Sequence, residues 1–244
     1  MKRNLLIPIV AFPGVMARAE PPWDVDDPGV TAFRTTTMYF SYRTKREPGT
    51  REEALGLFAF TYGLTPRLEI GAGLDALAAS SPDIGRTRGW SDLGLSAKLL
   101  VSGVPDEPDL AVGYQATLPS GSRWASAEQT THSFWLTGQR RAGRFRLTAD
   151  AGVALATRDK SASVFYGTVM DIQVDSRSRV GLQLAGTGSA GRGEPHAFRA
   201  AVGATRQASE RLAVQAHFGR GLSRGSQWQA YLGFTLDIPG GKAR

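Results

Sequence analysis

Few side chains in this chain are placed for covalent chemistry. His132 and Ser133 set an imidazole base beside a hydroxyl nucleophile. Neighbours in a strand point to opposite faces, however, so the two cannot share a proton directly. Gly186-Thr187-Gly188-Ser189-Ala190-Gly191 matches G-x-G-x-x-G. A dinucleotide site also needs a helix whose N-terminal amides meet the pyrophosphate. Arg192-Gly193-Glu194-Pro195 cannot start that helix, so Gly186 to Pro195 reads as a Gly-rich loop. The 3 histidines fall on separate strands, and His196 and His217 have no adjacent Asp at strand spacing. Asp26-Asp27 could meet a cation, but two solvated acids are the ordinary reading. With no Cys there is no disulfide and no thiolate metal site. These residues predict no enzyme activity, no catalytic or metal site, and no cofactor.

The informative polar residues recur at alternate positions instead. Glu69, Asp75, Asp92, Lys98, Arg146, Asp150, Asp171, Arg199 and His217 fall on the less apolar side of successive segments. Gln115, Gln173, Gln183, Gln215 and Gln229 lie between them. Charges on that side would be costly against lipid but tolerable around a wet or mutually paired interior. They are the candidate lumen-lining residues of a closed sheet.

The elements carrying them are short alternating strands. In Leu68–Ala76, Leu68, Ile70, Ala72, Leu74 and Ala76 share one face, and Glu69, Gly71, Gly73 and Asp75 the other. Similar strands are predicted near Thr31–Tyr42, Leu55–Gly63, Asp92–Val101, Leu110–Leu118, His132–Gln139, Phe145–Ala156, Val164–Val174, Val180–Ala185, Ala197–Thr205, Leu212–Phe218 and Trp228–Ile238. Longer loops are predicted over Arg43 to Glu53, Ala79 to Trp90 and Pro119 to Thr130, alternating with short turns such as Leu64 to Arg67. That asymmetry suits an all-β fold, a transmembrane antiparallel up-and-down β-barrel of about 12 strands. A water-soluble sandwich would need an apolar face of large core residues. Here that face is mixed with Ala and ends in aromatics. An even strand count also closes the sheet and removes its edges.

The N-terminus carries Lys2 and Arg3, an apolar run from Leu5 to Met16, and Ala17-Arg18-Ala19 before Glu20, the pattern of a cleaved secretory signal. Cleavage would remove three of the 29 basic residues and none of the 22 acidic ones, lowering the net charge from +7 to +4. The expected organisation is a signal peptide over 1–19, a periplasmic N-terminal segment over 20–30, the barrel over 31–238 and a tail over 239–244. The remaining Arg residues are interleaved with acids rather than striped with aromatics, which argues against nucleic acid as a partner.

Two sets of residues carry resemblances. Tyr231-Leu232-Gly233-Phe234-Thr235-Leu236-Asp237-Ile238 resembles the C-terminal insertion signal read by the barrel-assembly machinery, although Pro239 to Arg244 follows it. Three stretches, Tyr62–Glu69, Gly89–Lys98 and Pro108–Gly121, resemble the outer-membrane transporter-like proteins of the phenol-degradation "MetA-pathway" family. The resemblance covers most of the chain after the signal, rests mainly on barrel patterning, and transfers no catalytic residue. It implies a bacterial outer-membrane barrel passing small aromatic or other hydrophobic solutes, among outer-membrane lipids and lipopolysaccharide. The inward charges fit a polar conduit, or a salt-bridge network that fills the barrel. Two other readings stay open: a non-conducting barrel whose Arg43, Lys45, Arg46, Arg51, Arg86 and Arg88 meet lipopolysaccharide phosphates, and a lipid-modifying enzyme.

Overall fold

The computed structural model describes residues 24–47, 49–82, 85–104, 107–189, 197–223 and 227–240. The predicted signal peptide over 1–19 lies outside these residues, as do 20–23 and 241–244. The strands are β1 (Thr35–Glu47), β2 (Thr50–Thr65), β3 (Leu68–Ser81), β4 (Gly85–Trp90), β5 (Leu93–Val104), β6 (Glu107–Leu118) and β7 (Thr131–Ala142). They continue with β8 (Phe145–Ala156), β9 (Ala162–Gln173), β10 (Ser178–Ser189), β11 (Ala197–Gln207), β12 (Leu212–Gly221) and β13 (Trp228–Pro239).

Each strand pairs antiparallel with its sequence neighbour, apart from the break between β4 and β5. The sheet closes where β1 meets β13, from Thr35↔Pro239 to Arg46↔Trp228. β5 pairs with the first half of β3 and β4 with its second half, so β4 and β5 are one interrupted stave. The wall is therefore a closed 12-strand antiparallel barrel. Closure satisfies the backbone groups that an open sheet would leave unpaired in lipid.

Alternation decides what each face meets. Leu147, Met170, Leu182, Leu184 and Val202 point outward and are exposed, whereas Asp150, Val169, Gln183 and Ala201 on the same strands are buried. Leu182, 58 % exposed, and Gln183, 1 % exposed, are chain neighbours. An apolar exterior of this extent needs a hydrocarbon solvent.

Three sequence expectations are corrected. The 43–53 and 79–90 stretches are mostly strand: β1 and β2 run on to Glu47↔Thr50, and β3 pairs with β4 through Ser81↔Gly85. Past the lipid zone neither face meets hydrocarbon, so apolar alternation fades while backbone pairing continues. Gly186 to Ser189 extends β10 rather than forming a loop, and Gly186 lies under the Tyr166 ring. The rest of that Gly-rich stretch, 190–196, lies outside the described residues.

The third correction is the largest. Asp26 and Asp27 are not solvated: Asp26 is 0 % exposed and Asp27 7 %. The chain from Asp24 to Thr31 runs inside the barrel, and Ala32 and Phe33 emerge as exposed residues. It reverses into β1 at Arg34, whose φ of 59° lies in the left-handed region. That corner is pinned by Arg34 N–H to Gly63 O at 2.8 Å and Gly240 N–H to Arg34 O at 2.6 Å. A Cβ on Gly63 would lie 2.1 Å from the Ala32 carbonyl oxygen, so this wall position must stay bare for the segment to pass.

Candidate functional site: a strap across the lumen

The inner segment, here called the strap, is held by polar groups from strands all around the wall. At its lower end, the Thr31 N–H and hydroxyl both donate to Glu69 Oε2, at 2.7 and 2.9 Å. The Thr31 and Thr61 hydroxyls are 2.5 Å apart. Higher up, Asp26 is the hub. Its carboxylate accepts from Trp135 Nε1 at 2.7 Å and pairs with Lys98 Nζ at 3.2 Å. The Asp26 N–H donates to Asp150 Oδ2 at 2.9 Å, and its carbonyl accepts from the Thr137 hydroxyl at 2.5 Å. Lys98 also donates to the Asp27 carbonyl at 3.1 Å and lies 3.7 Å from Glu69 Oε1.

Asp24 meets a third cluster. Its carboxylate accepts from Gln183 Nε2 at 2.6 Å and pairs with Arg199 Nη2 at 2.5 Å, while its N–H donates to Gln183 Oε1 at 2.6 Å. Arg199 Nη1 donates to Gln229 Oε1 at 2.8 Å, and Gln229 Nε2 lies 2.8 Å from His217 Nε2. The His217 ring stacks on Tyr231 at 5.3 Å. Hydrogen bonds to charged groups are the stronger kind, and with the Thr31–Thr61 contact they bind a non-strand segment to seven wall strands.

Other predicted residues do different work. Asp171 is 1 % exposed and is clamped by Arg146 Nε at 2.8 Å and Arg179 Nη1 at 2.9 Å. Asp75 faces Arg43 at 3.6 Å. Asp92 is a loop anchor: its two carboxylate oxygens accept the N–H groups of Gly121 and Ala127 at 2.8 and 3.0 Å. The 119–130 loop therefore folds back over the inner face of β4. Ser122 exchanges bonds with Trp90, and Trp124 Nε1 donates to the Arg88 carbonyl at 3.1 Å. A Cβ on Gly89 would lie 2.1 Å from Ser122 Oγ. His132 lies on the outer face, its Nδ1 2.9 Å from the Tyr114 hydroxyl, whereas Ser133 is buried on the inner one. His196 lies outside the described residues.

Sequence reasoning missed Asp24, Trp135, Thr137, Thr31 and Gly113. Trp135 lies directly over Gly113, where a Cβ would be 2.0 Å from the ring. The usable signal was the acid-rich Asp24-Val25-Asp26-Asp27 run ahead of a wall with inward Lys and Arg.

A closed barrel with an apolar exterior and a polar interior is at home in one place. The chain is a β-barrel of the bacterial outer membrane. Solved structures with this fold include an outer-membrane channel from Pseudomonas putida F1, which matches with a TM-score of 0.67 at 17% identity over 87% of this chain and 98% of that one. The translocator domain of the autotransporter NalP from Neisseria meningitidis matches at 0.59 and 11% identity, over 90% and 93%. The CymD monoaromatic hydrocarbon channel matches at 0.52 and 9% identity, over 85% and 89%. No protein-family model matches the chain, and no curated protein matches it in sequence. At these identities the likeness is one of fold, that of channel-like outer-membrane barrels.

Proposed function

We propose that this barrel is a passive channel for small solutes whose bore is closed at rest by the strap. One observation carries the reading. Wall groups at three levels, Glu69, Lys98 with Asp150, and Gln183 with Arg199, bond to a segment that is not itself part of the wall. A bore that holds an extended polypeptide has the cross-section for a small solute once that polypeptide moves. The resemblance to the "MetA-pathway" family and the hydrocarbon-channel neighbour support aromatic or other hydrophobic compounds as cargo.

The density of strap–wall bonds also favours a second reading, a permanently filled structural barrel. Planar-bilayer recording separates the two. A variant lacking residues 24–30 should show clear conductance steps, and the full chain smaller or rarer ones. Silence in both, with the deleted variant still migrating as a folded barrel on unheated gels, would discard the channel.

Two partners belong to the same reading. The Tyr231–Ile238 pattern, which forms most of β13 at the seam, is proposed as the assembly signal. Lipopolysaccharide is the proposed outer contact. Arg46 pairs with Arg51, Arg51 with Ser80, and Ser80 with Arg86, so three outward arginines lie in one row across β1 to β4, joined by Arg88. Such a row suits phosphate. Arg43 and Lys45 point inward instead, toward Asp75 and Glu47.

A further inference from the structure

Asp24 sits in a corner that looks built for a carboxylate and is only partly used by this one. Gln183 is 1 % exposed and grips the strap with both ends of its amide, the nitrogen on the carboxylate and the oxygen on the N–H of the same residue. Arg199 is held in orientation by Gln229, which in turn meets His217. Asp24 reaches Arg199 through Nη2 alone. Among the described residues Nε, on the same edge of the guanidinium, is buried with no hydrogen-bond partner. A guanidinium presents Nε and Nη2 as a fork that matches the two oxygens of a carboxylate. An unmet donor in a buried setting is costly, and a better-fitting acceptor would recover that cost. Asp24 is tethered by its own backbone to Gln183 and does not fill the fork.

We propose that the Gln183–Arg199 corner is a receptor for small carboxylate solutes, which compete with Asp24 and release the strap. The ligand class follows from the groups that Asp24 presents: a carboxylate with an N–H donor a few bonds away, as in an N-acylated amino acid. An untethered carboxylate takes both Nε and Nη2, and its N–H takes Gln183 Oε1. The solute thereby opens its own path. This deepens the channel reading and rests on it for the passage that follows release.

The chain has no Cys, so a single introduced thiol reports the strap's position. Val25 is 2 % exposed and packs against the wall at Gly167. In purified full-length Val25→Cys protein, the maleimide-labelling rate should rise several-fold with N-acetylglycine and stay unchanged with N-acetylglycinamide, the uncharged analogue. Adding Asp24→Asn should speed labelling without any solute. Adding Arg199→Gln, which removes the same ion pair, should also raise the basal rate and abolish any further response to N-acetylglycine. No response to the acid, an equal response to acid and amide, or a response that survives Arg199→Gln overturns the receptor. So does labelling already maximal before any addition in the protein carrying Val25→Cys alone. Asp24→Asn protein in liposomes tests the passage separately. If swelling in a neutral sugar is absent while the labelling response holds, the channel fails and the receptor stands.

Discussion

The ammonium of Lys98 lies 3.2 Å from the Asp26 carboxylate, with both side chains under 8 % exposed. One belongs to the wall and the other to the strap, so this pair joins the two parts of the molecule at mid-barrel. Glu69 stands close enough to Lys98, at 3.7 Å, to share the charge. Losing either partner would leave a charge inside with reduced compensation.

Lys98→Met should therefore destabilise the barrel by about 3–5 kcal/mol, the usual effect of breaking a buried pair. The double variant Lys98→Met/Asp26→Asn should recover part of that loss, and the double-mutant cycle should give a coupling well beyond 0.5 kcal/mol, roughly the scatter expected of independent sites. The temperature at which the folded gel band disappears measures both. Additive losses would show that the pair is incidental.

Leu182 and Gln183 give a second expectation, because neighbours meet different solvents. Leu182→Arg, between outward Met170 and Val202, should cost roughly 2–4 kcal/mol if it lies near the bilayer midplane. Gln183→Leu should leave insertion intact and loosen only the strap. Assembly yield in vesicles, set beside protease sensitivity of the strap, distinguishes the two. Comparable assembly defects would refute the assigned facing.

Asp92 is expected to govern the 119–130 loop. Asp92→Ala removes two hydrogen bonds to a carboxylate, each of the kind worth about 1.5–3 kcal/mol. Trypsin should then cut after Arg123 faster than in the parent protein, with the barrel itself still folded. An unchanged rate would mean that the Ser122–Trp90 and Trp124–Arg88 bonds hold the loop without help.

Gly113→Ala tests the seat of Trp135. The added methyl would lie 2.0 Å from the ring, so the indole must shift off Asp26. Overpacking of this sort costs about 1–3 kcal/mol. Gly138→Ala, where the nearest atom would be 3.4 Å away, is the matched control and should be nearly silent in the same melting measurement. Equal behaviour of the two would remove Trp135 from the strap's support.

What the sequence determined by itself is the wall. Apolar side chains at every second position of Leu68–Ala76 declare one lipid face and one polar face, a local pattern with period two. The same parity assigns Leu182 outward and Gln183 inward without any long-range information. Strand ends were less legible. Arg46 and Arg51 sit in paired strand that no apolar pattern marks, because lipid no longer selects the residues there.

What only the tertiary structure decided is the contents of the barrel. Asp26 and Asp150 are 124 positions apart in the chain, and Asp24 and Gln183 are 159 apart. No periodicity spans such distances. An acidic run of four residues is ordinary in water and becomes a strap only where Lys98, Arg199, Trp135 and Thr137 converge on it. The inward turn of the 119–130 loop has the same origin. Asp92 reads as one more wall charge until closure of the sheet brings Gly121 and Ala127 within reach of its carboxylate.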